Sequence, residues 1–199
     1  MLQNNSLINP LIIKYISNMC PEFIQKAIYN KNYNNIYLYI FKRNIYIMFF
    51  ILKNHFNLNF KSMSDFTSVD YPELKNRFNL IYILNSISYN TNLVVKAWTN
   101  EFDLIPSLTS LYQSINWSER EVWDMYGIQF ENHPDLRRIL TDYGFNGYPL
   151  RKDFPLSGFI ELRYYDKYKK IIYSPIKLIQ EFRKYELQSP WNFYDLNFK

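Results

Sequence analysis

Cysteine is nearly missing from this 199-residue chain: Cys20 stands alone. A single thiol excludes a disulfide framework, a cysteine-ligated zinc site and a self-supplied iron–sulfur cluster. Two histidines, His55 and His133, leave little for any other metal site or for a histidine-based triad. Glycine occurs only four times, so no glycine-rich phosphate loop can be assembled. Long hydrophobic runs are also lacking. The most apolar stretch, Ile45–Leu52, is far short of the roughly 20 residues a bilayer span needs. Joining it to Ile36–Phe41 would bury Lys42 and Arg43 mid-span, which lipid penalises. Residues 1–20 carry one basic residue, Lys14, and no small-residue cleavage site. The expectation is a soluble polypeptide with no direct membrane span and no presequence; if it works in an organelle, it was made there.

Five residue types dominate instead. Phe (16), Tyr (19), Ile (23), Asn (23) and Lys (15) supply 96 of 199 residues, while Ala occurs twice. The favoured residues have A/T-dominated codons, which points to an AT-rich, organellar gene. The net charge of +5 is discounted for the same reason, because lysine is among those codons. With 48% hydrophobic residues the chain can bury a real core, in one domain with or without a tail.

Glycine and charge divide the chain. Residues 1–116 hold no glycine and carry 10 basic against 6 acidic side chains; residues 117–163 hold all four glycines, with 6 against 8; residues 164–199 return to 7 against 4. In the first part, Ile8–Met19 reads as an amphipathic helix ended by Pro21. Phe23–Tyr29 and Ile36–Phe41 read as a hairpin around an Asn/Lys-rich turn. Ile45–Phe56 has the length of a helix, Phe60–Val69 is a weaker strand, and Leu80–Ile87 with Leu93–Thr99 forms a second hairpin rich in β-formers. Pro106–Ile115 reads as a helix opened by proline. The fold class is therefore α+β: a compact mixed sheet with flanking helices over 1–126, then an extended partner-binding arm with short helices over 127–199. In that arm Gly127, Pro134, Gly144, Gly147, Pro149, Pro155 and Gly158 interrupt regular structure, yet aromatics and arginines persist. A disordered tail would lack the aromatics.

The junction is the informative region. Ser118-Glu119-Arg120-Glu121 has the form of a capping box. Helical spacing puts Val122, Trp123, Met125 and Tyr126 on one face and Arg120, Glu121 and Asp124 on the other. Arg120 and Asp124 are four apart, as a helix-surface ion pair would be, and Gly127 suits a left-handed helix stop. Glu119 falls on the apolar side beside Trp123, where it either serves the helix dipole as a first-turn carboxylate or meets an arginine of this chain or a partner. His133–Leu140 reads as another short helix, with Pro134 at its first position. Arg137, Arg138, Arg151 and Lys152, interleaved with aromatics, Gly and Pro, have the composition of an interface.

These residues follow one another in a register that resembles a known family. Glu119-Arg120-Glu121, Asp124-Met125-Tyr126-Gly127, His133-Pro134-Asp135-Leu136-Arg137-Arg138, Asp142-Tyr143-Gly144 and Arg151-Lys152-Asp153-Phe154-Pro155 closely resemble the 30-kDa subunit family of respiratory complex I, the proton-pumping NADH:ubiquinone oxidoreductase. The strong match spans 117–163; a weaker one runs through Glu161-Leu162-Arg163-Tyr164 and Gln180–Arg183 to Ser189-Pro190-Trp191. Tyr148 departs from the family's usual histidine, and the Lys/Tyr-rich stretch 164–170 is more basic than in relatives.

The resemblance implies a structural and assembly subunit of the peripheral arm, with no cofactor of its own and no catalysis by the isolated chain. FMN, iron–sulfur clusters, NADH and ubiquinone would belong to the complex as a whole. It implies the 49-kDa subunit, the terminal-cluster iron–sulfur subunit and other peripheral-arm subunits as partners, on the matrix side of the mitochondrial inner membrane. Nucleic acid is not an expected partner, although pI ≈ 9.1 and 20% aromatics keep an organellar ribosomal or RNA-binding protein as the alternative. A stand-alone enzyme using Arg137, Arg138 and Glu119 is a further rival. Glu119 and Glu121, two apart on a helix, point in different directions and cannot share an acid/base site. For Arg151→Glu, the arm reading predicts lost assembly with the amino-terminal domain still folded.

Overall fold

The computed structural model describes residues 5–31, 35–183 and 185. The elements of the first unit run α1 (Asn5–Met19), β1 (Ile24–Asn30), β2 (Asn35–Ile40), a 3-10 turn at Lys42–Asn44, α2 (Ile45–Asn54), β3 (Ser62–Asp70), β4 (Phe78–Ser86), β5 (Thr91–Thr99), β6 (Leu104–Pro106), α3 (Ile115–Tyr126) and β7 (Gln129–Glu131). Both expected hairpins form. β1 pairs with β2 and β4 with β5, each antiparallel. A parallel β2–β5 pairing joins them, with Ile36 opposite Leu93 and Ile40 opposite Ala97, and β3 closes the mixed sheet in the order β1-β2-β5-β4-β3.

Period-two alternation decides which face is inside. Ile36, Leu38 and Ile40, Leu80, Tyr82 and Leu84, and Leu93, Val95 and Ala97 are all buried. Against them α2 lays Ile45, Met48, Phe49 and Leu52, which recur at helical spacing. Phe49 meets Tyr82 edge-on at 4.9 Å and Phe66 stacks on Tyr82 at 4.3 Å. Each such side chain contributes on the order of 2 kcal/mol by leaving water.

Three local expectations fail, each because a tertiary contact overrides local pattern. Pro106–Ile115 is not a helix. Pro106 ends β6, which pairs in parallel with β7, and the Ser107 amide donates to the Glu131 carbonyl at 2.9 Å. Separate turns follow instead, with the Tyr112 amide donating to the Leu108 carbonyl and the Ile115 amide to that of Tyr112. Accordingly α3 starts at Ile115, upstream of the supposed capping box, and Ser118 lies inside the helix. Finally, residues 133–140 form no helix. The amides of Ile139 and Leu140, with that of Thr141, are drawn to a side chain of α3, Asp124.

The chain divides into two compact units, Met1–Leu156 and Ser157–Lys199. The expected boundary after Tyr126 therefore lies inside the first unit, and residues 127–156 belong to that unit. The described residues of the second unit include an antiparallel hairpin of β8 (Ile160–Tyr165) and β9 (Lys170–Pro175), turned through Asp166–Tyr168 with Lys169 in the left-handed region. None of its described residues is buried. The expected Gln180–Arg183 match lies at the end of the described residues, and Ser189–Trp191 lies outside them. Among the described residues, no helix is long and apolar enough to cross a membrane.

Candidate functional site

The signature residues converge around α3 and the strand ends it faces. Gly127 closes the helix as expected: φ is 77° and its amide donates to the Trp123 carbonyl at 2.9 Å. Its lack of a side chain has a second use. A Cβ here would sit 2.6 Å from the Tyr148 ring and 2.7 Å from the Arg151 guanidinium. Tyr148 is a platform for cations: the Arg151 guanidinium lies 4.5 Å and that of Arg138 5.1 Å from its ring centre.

Three buried charges of α3 reverse the expected polarity of that helix: Glu119, Arg120 and Asp124 are all buried, whereas Glu121 is exposed and Trp123, Met125 and Tyr126 are half-buried. Arg120 and Asp124 do not pair with each other. Arg120 lies over Trp117 and donates to the Arg137 carbonyl at 3.1 Å. Asp124 accepts the amides of Ile139, Leu140 and Thr141 at 3.2, 2.7 and 3.0 Å, and the Thr141 hydroxyl at 2.7 Å. Gathering three consecutive amides on one carboxylate fixes a non-helical turn, which is why no helix forms over 133–140. Burial alone would raise the Asp124 pKa, but these hydrogen bonds to its anion outweigh burial and hold it below the usual range.

Glu119 meets neither an arginine nor the helix dipole in the expected way. It accepts the Ser107 hydroxyl at 2.6 Å and the Leu108 amide at 2.9 Å. His133 Nε2 lies 3.7 Å from its Oε2, with both side chains fully inaccessible. The Asp135 amide donates to His133 Nδ1 at 3.2 Å, so neutral His133 carries its proton on Nε2, the nitrogen facing Glu119 and the Asn116 carbonyl. Burial pushes the Glu119 carboxyl up to about 7, against the lowering pull of its two donors. Burial also depresses the imidazole. Between the depressed pKa of the imidazole and about pH 7 the two therefore pack as a neutral pair rather than an ion pair.

The sign of the pH effect follows. Glu119 has a raised folded-state pKa, so its stabilising contribution is complete below 4.5 and is lost as pH rises through about 7. His133 acts in the opposite sense, losing stability as pH falls below its unfolded value of 6.5. Comparing wild type with Glu119→Gln isolates the carboxyl, since glutamine can still accept from Leu108 and reach Ser107. The variant's advantage in unfolding free energy should grow by about 3 kcal/mol between pH 4.5 and pH 8. Denaturant titrations at both pH values measure it.

A second polar group fastens residues 148–153. Arg151 pairs with Glu101, donates to the Tyr126 carbonyl at 2.6 Å and lies over Phe78. Arg77 grips Asp70 through two bonds, at 2.7 and 2.9 Å, and reaches Asp153 at 3.0 Å. Asp70 also accepts the Lys152 amide at 2.8 Å. Burial opposes ionisation of Asp70, yet Arg77 and that amide hold its pKa down. Gly147 faces Phe154, whose ring centre lies 5.9 Å from that of Phe145.

Arg138 donates to the Gly147 carbonyl at 3.0 Å and lies 3.6 Å from Asp124. Arg137 is exposed and pairs with exposed Asp135 at 3.0 Å. Pro134, Asp142, Gly144, Lys152, Asp153 and Pro155 are exposed or nearly so, as is Tyr143 at 96%. Arg137, Arg138 and Glu119 are committed to different partners, so the enzyme built on them gains nothing from the geometry. Asp70, Arg77, Glu101 and Ser107 are the residues that sequence reading missed. They sit on other elements, and no local spacing marks them. Among the described residues, no three His, Cys, Asp or Glu side chains gather as metal ligands.

Fold and site together describe an α+β scaffold whose buried charges fix backbone. Residues 38–160 match the model of the family described as respiratory-chain NADH dehydrogenase, 30 Kd subunit. The chain is 49% identical, over 87% of its length and 84% of the relative's, to NADH-ubiquinone oxidoreductase subunit 9 of Reclinomonas americana. It is 48% identical to the protein of the same name in Acanthamoeba castellanii, over 90% and 91%. The protein of that name in Prototheca wickerhamii is 44% identical, over 92% of this chain and 95% of its own. A chain of a membrane-bound sulfane sulfur reductase, an archaeal respiratory membrane complex, shares its fold with a TM-score of 0.60 at 25% identity, covering 74% of this chain and 85% of that one. The chain belongs to the 30-kDa subunit family of respiratory-chain NADH dehydrogenase.

Proposed function

We propose that this chain is a non-redox scaffold of the peripheral arm of the proton-pumping NADH:ubiquinone oxidoreductase, holding the 49-kDa subunit and the terminal-cluster subunit in register. It binds no cofactor; FMN, the clusters, NADH and ubiquinone are handled by its neighbours. Its place is the matrix side of the mitochondrial inner membrane, and its gene is organellar. The observation that carries the reading is the family match over 38–160, which contains every residue of the buried network. That network supports the reading physically. Electron tunnelling and quinone docking need neighbouring subunits held rigidly, and a surface does this only when its own base is immobile. Here Asp124, Glu119 and Arg151 anchor the base, and Trp117, Arg137, Leu140 and Tyr143 stand exposed above it. The ribosomal alternative has no comparable support, since none of the relatives named above is an RNA-binding protein.

Native-gel separation followed by peptide mass spectrometry tests the assignment. The chain should migrate with NADH-oxidising activity, together with the 49-kDa subunit. Migration apart from that activity, or salt-sensitive retention on RNA, would overturn it.

A further inference from the structure

We infer that the β8–β9 hairpin is a docking element whose apolar face seats in an acid-rimmed groove of another protein subunit of the same complex. The inference rests on the family-level function above and adds the surface and the chemistry of its partner. It begins with register. Ile160 faces Pro175, Leu162 faces Tyr173 and Tyr164 faces Ile171. Residues directly opposite, and residues two apart, share one side of a sheet. One side of the hairpin is therefore wholly aliphatic, aromatic or proline. The other carries Glu161 opposite Ser174, Arg163 opposite Ile172 and Tyr165 opposite Lys170.

Among the described residues of the second unit, this amphipathic division covers no buried core. Ile160, Leu162, Tyr164, Ile171 and Tyr173 are each 57–66% exposed. A lone two-stranded hairpin is marginal in water, and a contiguous apolar patch of this kind marks a binding surface. The rim indicates the sign of the partner. The turn carries Lys167, Lys169 and Lys170 against Asp166, and Lys169 alone is bridged to that aspartate, at 2.5 Å. Lys167 and Lys170 lie over Tyr168 with their charges uncompensated by any ion pair among the described residues.

The choice of protein over lipid follows from the backbone. Among the described residues β8 and β9 form a two-stranded sheet, so both strands present an open edge. Open edges entering hydrocarbon would leave amides and carbonyls without partners. A protein groove can pair them, as in strand addition, and can accept the Tyr164 hydroxyl as well.

The test uses the full chain, tagged, in cells lacking their own copy of the subunit. Leu162→Gln with Ile171→Gln removes the apolar face without adding charge. Recovery of this chain in the NADH-oxidising complex should fall at least about tenfold, as loss of a central anchor does. Lys167→Glu with Lys170→Glu should also lower recovery, whereas Arg163→Gln on the polar side should leave it within about twofold. Hydrogen exchange gives a readout independent of the variants: amides of 160–175 should be strongly protected in the wild-type complex and fast in the free chain. Normal recovery of the face variant, or fast exchange in the complex, overturns the proposal. So does flotation of the free wild-type chain with phosphatidylcholine–phosphatidylglycerol vesicles through an intact apolar face. If the wild-type chain itself never joins the complex, the family-level function fails instead.

Discussion

Replacing Asp124 with alanine should destabilise the first unit by about 3 kcal/mol, the low end for removing a buried charged partner. The carboxylate is fully buried and accepts three consecutive amides and a hydroxyl. Alanine orphans all four donors and leaves Arg138 without its nearby anion. The cost stays at the low end because Leu140 is exposed and water can reach part of the turn. Asparagine provides the control. Its amide oxygen can serve the three amides while its NH2 group donates to the Thr141 hydroxyl, which also accepts. The asparagine variant should therefore lose only about 1 kcal/mol. Urea unfolding checks the order, and limited proteolysis should show cleavage within 137–147 first in the alanine variant. Equal stability of wild type and alanine variant would show that the turn is held by something other than this carboxylate.

Arg151→Glu should unfold or severely weaken the same unit, by about 3 kcal/mol once the partial exposure of Glu101 is discounted. The substitution sets a carboxylate beside Glu101, removes the donor to the Tyr126 carbonyl and removes the cation over Tyr148 and Phe78. This replaces the expectation drawn from sequence, in which Arg151 served a partner and its loss spared the domain. Arg151→Lys should cost less, about 1 kcal/mol, because it keeps charge near Glu101 but loses the planar stack. Thermal unfolding of the purified chain decides the point before any assembly assay. An Arg151→Glu protein that melts like wild type would return Arg151 to the interface.

Both effects belong to contacts between residues far apart in the chain, and this explains what was readable in advance. Glu119 and Leu108 are 11 residues apart, Asp124 and Leu140 are 16 apart, and Arg151 and Glu101 are 50 apart. Sequence periodicity registers neighbours at two, three or four residues. It marked the two hairpins, α1, α2 and the Gly127 stop, because their determinants are local. It misassigned Arg120 and Asp124 as a surface pair because helical spacing cannot tell solvent from a covering segment. The helix expected over 133–140 failed for the same reason: proline-led helix propensity is worth tenths of a kilocalorie per residue, less than three amides captured by one buried carboxylate.

The sequence by itself determined that the chain is α+β, that it lacks the thiols for a cluster, and which family it resembles. All three rest on composition, local alternation and an unbroken run of motifs. Only the tertiary structure decided where the first unit ends, that Glu119 faces His133 inside the fold, and that most charges of α3 are turned inward. Those outcomes depend on desolvation, which raises or lowers a charge's cost according to what the rest of the chain places over it, and no residue carries that information alone. The same physics leaves the hairpin's apolar side chains exposed, and the cover proposed for them is a surface of another subunit.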